Sequence, residues 1–303
     1  MFERNNFKEK VNNILRPEIS VVIVVWNSED EIAECLKSVF FDRKGNRKEY
    51  IETIVIDNFS QDNSAKSIQA FKDCYPDLNI KLIANKENLG FTRGANQGLK
   101  IASGEYVMLL NPDTEISDNA IEKLVRFIRE NENTGAVAPQ LVFRSKDIQH
   151  SCRTFPKYRD MFSELTMLSK LFPKSKFFSR WKMQYFDHNS TREVDQPMGA
   201  ALMMPSKILK EVDFLDDRFD MFFSDVDLCK KIRDKGYKIF FYHEAQVLHR
   251  KGTSVYKNRS YMIRLWNNDC IKYFKKHNFN YILFPVLSIA LRLSGYIRMI
   301  FDR

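Results

Sequence analysis

Three aspartates stand where a carboxylate could bind a cation or accept a proton. Asp113 follows the apolar run of YVMLLNPDTEI, Asp57 closes YIETIVIDN, and Asp225 lies in FFSDVDLC. Pro112 ends the ladder and fixes the turn, so the Asp113 carboxylate is expected just past the carboxyl end of a core strand. Asp57 holds the same place on its own strand. In an open parallel sheet the ligand crevice lies outside those ends, which brings the two acids to one rim. A divalent cation held there by one or two carboxylates could neutralise a nucleotide diphosphate. Neither GxGxxG nor GxxxxGK[ST] occurs to offer a phosphate loop instead. The plainer use of an acid after a strand is to cap the next helix.

The elements that must position these acids alternate along the chain. ISVVIVVWN is a continuous apolar run, as in a strand covered on both faces. In SEDEIAECLKSVF, Ser28 and Glu31 have capping-box spacing, and Ile32, Leu36, Val39 and Phe40 share a helical face. YIETIVIDN is a second strand, Ile68 and Phe71 mark a second helix, and IKLIAN is a third strand. In TRGANQGLKIAS, Ala95, Leu99 and Ala102 recur at helical spacing and Gly104 reads as the stop. After YVMLL comes a helix with Ser117 as N-cap and Ile121, Leu124, Val125 and Ile128 as its buried stripe. This order predicts an α/β protein with a mostly parallel central sheet flanked by helices. Residues 149–195 break the rhythm. They are aromatic and basic, and read as an elaboration that covers or shapes a site.

At 303 residues and 44% hydrophobic, the chain can bury a sizeable core. From Arg250 onward eleven basic residues face only Asp269 and Asp302, an excess equal to the net charge of +9. An acidic partner is implied. Because the charges are interleaved with YILFPVLSIALRL, an anionic membrane surface suits them better than nucleic acid. Arg292 interrupts that apolar run after about 11 residues, short of the ~20 of a spanning helix, so an interfacial segment is expected. Five cysteines without CxxC spacing point to reduced thiols, and the N-terminus has no apolar secretory core. Both predict a cytoplasmic protein held peripherally at the inner face of the cell membrane.

The set VVIVVWN, IVIDNFSQDNS, NLGFTRGANQGLKIASGEYVMLLNPDTEI, GAALMMPSKILKEVDFLDDRFDMFFSDVDLCKKIRDKGY and VLHRKGTS, in this order, resembles the inverting glycosyltransferases of family 2, which have the GT-A fold. The closest branch is the rhamnosyltransferase-like one. The resemblance spans about 19–254. It implies a catalytic domain over 18–256, with a nucleotide-binding half (18–116) and an acceptor-binding half (117–256). A lead-in (1–17) precedes it, and a helical, membrane-associating extension (257–303) follows.

The same resemblance assigns roles. Asp57 matches the acid that contacts the nucleotide base, Trp26 and Asn27 the loop that wraps it, and Arg93 a donor-site arginine. Asp113 takes the last place of a DxD-type motif that binds Mg²⁺ or Mn²⁺, with Asn111 where many members carry an acid; His249 completes the metal or diphosphate site, beside Arg250 and Lys251. Gly199 and Ala200 match the small pair that admits the donor sugar. Asp225 matches the catalytic base, with Ser224 replacing a common Glu. Asp227 either contacts the acceptor or favours the first turn of its helix through the helix dipole. The implied donor is a dTDP- or UDP-sugar, with rhamnose a possible sugar, and the acceptor a glycan or polyprenyl-diphosphate-linked glycan. A non-catalytic scaffold is the alternative that Asn111 and Ser224 would suit. Phe177, Phe178, Trp181 and Tyr185 could stack on a sugar, meet lipid or fill a core. SCRTFP also resembles a loop of the branch, and His150, His188, His243 and His277 carry no assigned role.

Overall fold

The computed structural model describes residues 17–117, 119–250 and 259–301. The lead-in up to residue 16 and Lys251 with the GTS that follows it lie outside them. The first half runs β1 (Ile19–Val25), α1 (Ile32–Phe40), β2 (Ile51–Asp57), α2 (Ser64–Cys74), β3 (Ile80–Ala84), α3 (Phe91–Ile101), β4 (Tyr106–Leu110), β5 (Thr114–Ile116) and α4 (Ala120–Glu130). Then come β6 (Thr134–Val142), β7 (Ile148–Gln149), β8 (Cys152–Arg153), α5 (Tyr158–Leu165), α6 (Leu168–Leu171), β9 (Arg192–Glu193), β10 (Gln196–Pro197) and β11 (Ala201–Pro205). The chain ends with α7 (Ser206–Glu211), α8 (Ser224–Asp234), β12 (Lys238–His249), α9 (Arg259–His277) and α10 (Leu283–Phe301).

One sheet has the order β3-β2-β1-β4-β11-β6-β12-β5. Its first four strands are parallel, β11 lies antiparallel between β4 and β6, and β5 runs antiparallel to β12. Every residue of β1, β2 and β4 is buried, as continuous apolar runs require when helices cover both faces. The α1 and α4 stripes read from the sequence face the core. Helix α3 approaches closely through glycine: a Cβ on Gly98 would sit 2.6 Å from Val22 Cγ1 and 2.8 Å from Ile56 Cδ1.

Three local expectations are corrected. Ser28 and Glu31 form no capping box. Ser28 Oγ donates to the Trp26 carbonyl, and the Ser28 carbonyl accepts the Glu31 and Ile32 N–H groups in a turn ahead of α1. Ser117 is not the N-cap of α4: left-handed Asn119 holds that place, and Ser117 contributes only its carbonyl. Gly104 does not stop α3, which ends at Ile101. It lies against β1, where a Cβ would meet Ser20 N at 2.6 Å and the Gly104 N–H donates to Ser20 Oγ at 2.8 Å.

The irregular stretch supplies β8, which pairs with β10 just beyond it in a two-stranded sheet, and two short helices, and it packs on the C-terminal helices. Met161, Phe219, Phe223, Val226, Tyr273, Phe274, Leu287 and Leu291 form their shared core. Trp181 belongs there too, 6.3 Å from Trp266 between ring centroids, whereas Phe177 is exposed. Arg292 does not interrupt the last helix. Its side chain is exposed, and α10 continues to Phe301, so 283–300 is long and apolar enough to cross a membrane. Leu287 and Leu291 face inward, while Val286, Ile289, Leu293, Ile297 and Ile300 are 50–60% exposed.

Candidate functional site

One side of the rim is built where β1 and β2 end. Asn27 is left-handed (φ 53°). Its N–H donates to Ser60 Oγ at 3.0 Å, and its Oδ1 accepts the Gln61 N–H at 2.8 Å, so the two strand-end loops are clasped together. Half-buried Trp26 precedes it. Asp57 is 5% exposed, and its Oδ1 is buried without a hydrogen-bond partner among the described residues. An acceptor so placed is expensive to leave unpaired, and an N–H from a ligand would satisfy it. Arg93 is exposed in the first turn of α3, just after Gly90 (φ 81°).

Asp113 and His249 meet because β5 pairs with the end of β12, Thr114 opposite His249. His249 is buried, its Nε2 lies 3.4 Å from Asp113 Oδ1, and its Nδ1 is 2.8 Å from Gln149 Oε1. With the Nδ1 proton donated to Gln149, the Nε2 lone pair faces the carboxylate, an arrangement that needs a shared proton or cation between the two. The pair therefore fits a divalent ion. Among the described residues no third His, Cys, Asp or Glu joins them, in keeping with Asn111, so this pair would be the protein's share of the coordination. The Asn111 N–H donates to the Ala200 carbonyl at 2.8 Å, and the Asn111 carbonyl accepts from Thr114 Oγ1 at 2.6 Å.

The third acid arrives from the opposite wall. Left-handed Phe223 (φ 59°) reverses the chain into α8, and Asp225 stands in the first turn. Its Oδ2 accepts the Gly199 N–H and Gln196 Nε2, both at 3.0 Å. Gly199 leaves no slack: a Cβ there would lie 3.0 Å from Asp225 Cβ and 3.2 Å from Oδ2. Gly199 and Ala200 thus join Asp225 to the Asn111–Asp113 loop. Burial pushes the Asp225 carboxyl above the usual carboxylate range, against the N–H groups of Gly199 and Val226 and the charge of Arg153, which pull it down. A carboxylate whose pKa is raised is, once ionised, a stronger proton acceptor than an exposed one. Ser224, in place of the Glu, donates to the Met221 carbonyl at 2.9 Å and stays within the turn.

Asp227 stands in the first turn of α8 and has partners within the protein: its carboxylate is fully buried, its Oδ1 accepts from Lys276 Nζ at 2.5 Å and His277 Nε2 at 2.6 Å, both from α9, and its Oδ2 has no hydrogen-bond partner among the described residues. His277 thereby acquires a partner that its sequence context did not suggest. His188 is a core residue: its Nε2 accepts the Ser151 and Cys152 N–H groups, and burial lowers its pKa to about 4. Gln149, Gln196 and Arg153 are the residues that sequence reasoning missed, all within or beside the aperiodic stretch. The SCRTFP segment gains a role from this geometry, since β8 carries Arg153 opposite Gln196.

This architecture is the GT-A fold. A mannosyltransferase of Pyrobaculum calidifontis, solved with GDP-mannose and Mn²⁺, superposes with TM-score 0.59 at 16% identity, covering 92% of this chain and 74% of that one. The N-terminal part of Staphylococcus aureus TarS gives 0.52 at 16%, covering 92% and 72%. The chain belongs to glycosyl transferase family 2, whose family model matches residues 20–187. A low-salt glycan biosynthesis hexosyltransferase of Haloferax volcanii is 23% identical over 97% of this chain and 88% of its own length. A poly(ribitol-phosphate) β-glucosyltransferase of Bacillus spizizenii is 35% identical over 38% of this chain, and an uncharacterised glycosyltransferase of Haemophilus influenzae 31% over 41%. The matches cover only 18% and 37% of those two relatives.

Proposed function

We propose that the protein is an inverting glycosyltransferase that moves a hexose from a nucleoside-diphosphate donor to a hydroxyl of a lipid-linked or polysaccharide acceptor in glycan biosynthesis. The observation that carries this reading is the Asp225 carboxylate, fixed by Gly199 and Gln196 one residue from the Ala200 contact with the Asn111–Asp113 loop. Residues 18–116 hold the nucleotide: the unpartnered Asp57 oxygen takes an N–H of the base, the Trp26–Asn27 loop wraps it, and Arg93 reaches the diphosphate. Residues 117–256 present the acceptor. Its hydroxyl attacks the anomeric carbon in line, the C–O bond to the nucleoside diphosphate breaks, and the hydroxyl proton passes to Asp225. When bound, a divalent cation would supply charge neutralisation to the departing diphosphate, with Asp113 and His249 as its protein ligands. The Mn²⁺ and nucleotide sugars present with structural neighbours support the same chemistry.

Resemblance to the rhamnosyltransferase-like branch makes dTDP-rhamnose the first donor to test, with UDP-sugars second. Incubation with dTDP-rhamnose, UDP-glucose, UDP-N-acetylglucosamine and GDP-mannose, each with Mg²⁺ or Mn²⁺ and a membrane-lipid acceptor extract, should release nucleoside diphosphate from one of them. The product's anomeric configuration should be opposite to the donor's. Release from none, or a product of retained configuration, overturns the proposal.

The exposed apolar side of α10, flanked by exposed Arg292 and Arg298, supports peripheral seating on the anionic cytoplasmic leaflet. Each buried aliphatic side chain is worth about 1.5–3 kcal/mol, so Ile289→Ser with Leu293→Ser should weaken partitioning into vesicles of anionic phospholipid by at least about 100-fold in a sedimentation assay. Unchanged partitioning would remove α10 from the membrane contact.

A further inference from the structure

The C-terminal hairpin does more than present an apolar face, because its first helix is bonded to the turn that aims the base. Asp269 of α9 is fully buried, and its carboxylate accepts three consecutive backbone N–H groups: Asp220 at 3.2 Å to either oxygen, and Met221 and Phe222 at 3.0 Å. Lys272 Nζ adds a fourth donor at 2.9 Å. That turn leads directly through Phe223 into α8 and Asp225. Phe223 itself packs between Trp266 and Tyr273 of α9, 5.5 Å from each ring centroid. On the far side of Asp225, Lys276 and His277 hold Asp227, and Lys276 also reaches Asp216 Oδ2 at 2.7 Å. The first turn of α8 is thus gripped before and after the base by one helix.

The same turn reaches the donor side. The Asp220 carbonyl accepts the Thr92 N–H at 3.2 Å, at the start of α3 next to Arg93, and a Cβ on Gly90 would lie 2.9 Å from that carbonyl oxygen. The α9 helix is in turn tied to α10, since Asn267 Nδ2 donates to the Leu291 carbonyl at 2.9 Å.

Resting on the function proposed above, we infer that Asp269 and Lys276 are positioning residues for the catalytic base: the C-terminal hairpin belongs to the catalytic centre and sets the orientation of Asp225 relative to the donor. Apolar contact alone would dock a hairpin, and replacing a buried ionic network by well-packed apolar groups is often neutral or stabilising. A carboxylate that collects three successive N–H groups adds direction, which a base within hydrogen-bond reach of a reacting hydroxyl requires.

The test uses the full chain and two readouts. In Asp269→Asn, whose amide presents one acceptor oxygen in place of two, hydrogen–deuterium exchange should rise in the peptide covering residues 219–229. In the same variant kcat should fall at least tenfold with the donor KM within twofold and the melting temperature still giving a folded protein at assay temperature. Lys276→Met should reproduce the kcat loss and Lys276→Arg should restore most of it, a rescue that a generally destabilised fold would not show. Unchanged exchange at 219–229, or unchanged kcat, overturns the inference. If the wild-type chain turns over no donor, the proposed function fails by itself, and the exchange readout still decides whether Asp269 fixes this turn.

Discussion

Asp225→Asn is expected to reduce kcat by about 10²–10⁴-fold, the range that a positioned general base contributes, while donor affinity in calorimetry stays within about twofold. The amide keeps the shape and can still receive the Gly199 N–H, but it cannot take the acceptor proton. The wild-type pH profile carries a second signature. Because burial raises this carboxyl above its ordinary 3.8, kcat/KM should climb with pH through the raised value as the carboxylate forms. The stability sign is the reverse. In the window between 3.8 and the raised value the folded state holds a proton that the unfolded state has lost, so stability conferred by the neutral form is present below that window and declines as pH rises through it. The Asn variant lacks this decline and should melt at or above wild type at neutral pH. A variant with wild-type turnover would remove Asp225 from the chemistry.

Asp113→Ala should abolish metal-dependent nucleotide binding. Outer partners of metal ligands are already worth 10–100-fold in metal affinity, so loss of the carboxylate itself is expected to weaken nucleotide binding in Mn²⁺ by at least roughly 100-fold, to the level seen with chelator. His249→Ala should follow it. Gln149→Leu, which frees the imidazole to turn, should fall between wild type and these two. Calorimetry of UDP, dTDP and GDP, each with and without Mg²⁺ or Mn²⁺, reads all of them. Metal-independent binding in wild type, unchanged in Asp113→Ala, would leave the Asp113–His249 contact as a structural ion pair.

Asp57 and Asp113 were legible in the sequence for a simple reason. One closes and the other follows a mainly apolar strand whose depth can be read from composition, and Pro112 announces the turn. The apolar GAALMMP run equally announces a strand, but its pattern is silent on direction, and β11 enters antiparallel. Where local signals failed, a longer-range bond had displaced them. Ser28 and Glu31 have the spacing of a capping box, yet the Ser28 hydroxyl is held at Trp26 and the helix begins a turn later. The internal partners of Asp227 and Asp269 were not legible in the sequence. Their burial follows from α9 folding back across 47 to 49 residues of chain, for which neither neighbourhood carries a mark. Arg292 interrupts the apolar run but, exposed on the outer face of α10, not the helix.

The bonding of α9 to the turn before α8 also bears on how such a protein can be recombined. A tail that only tethered the enzyme could be exchanged freely between relatives, each tail bringing its own address. Here Asp216, Asp227 and the backbone of residues 220–222 are complementary to Lys276, His277 and Asp269. The inheritable block is therefore a discontinuous one, about 215–227 together with 266–277. A graft joined at residue 257 would cut through it and separate two partners that have to change together.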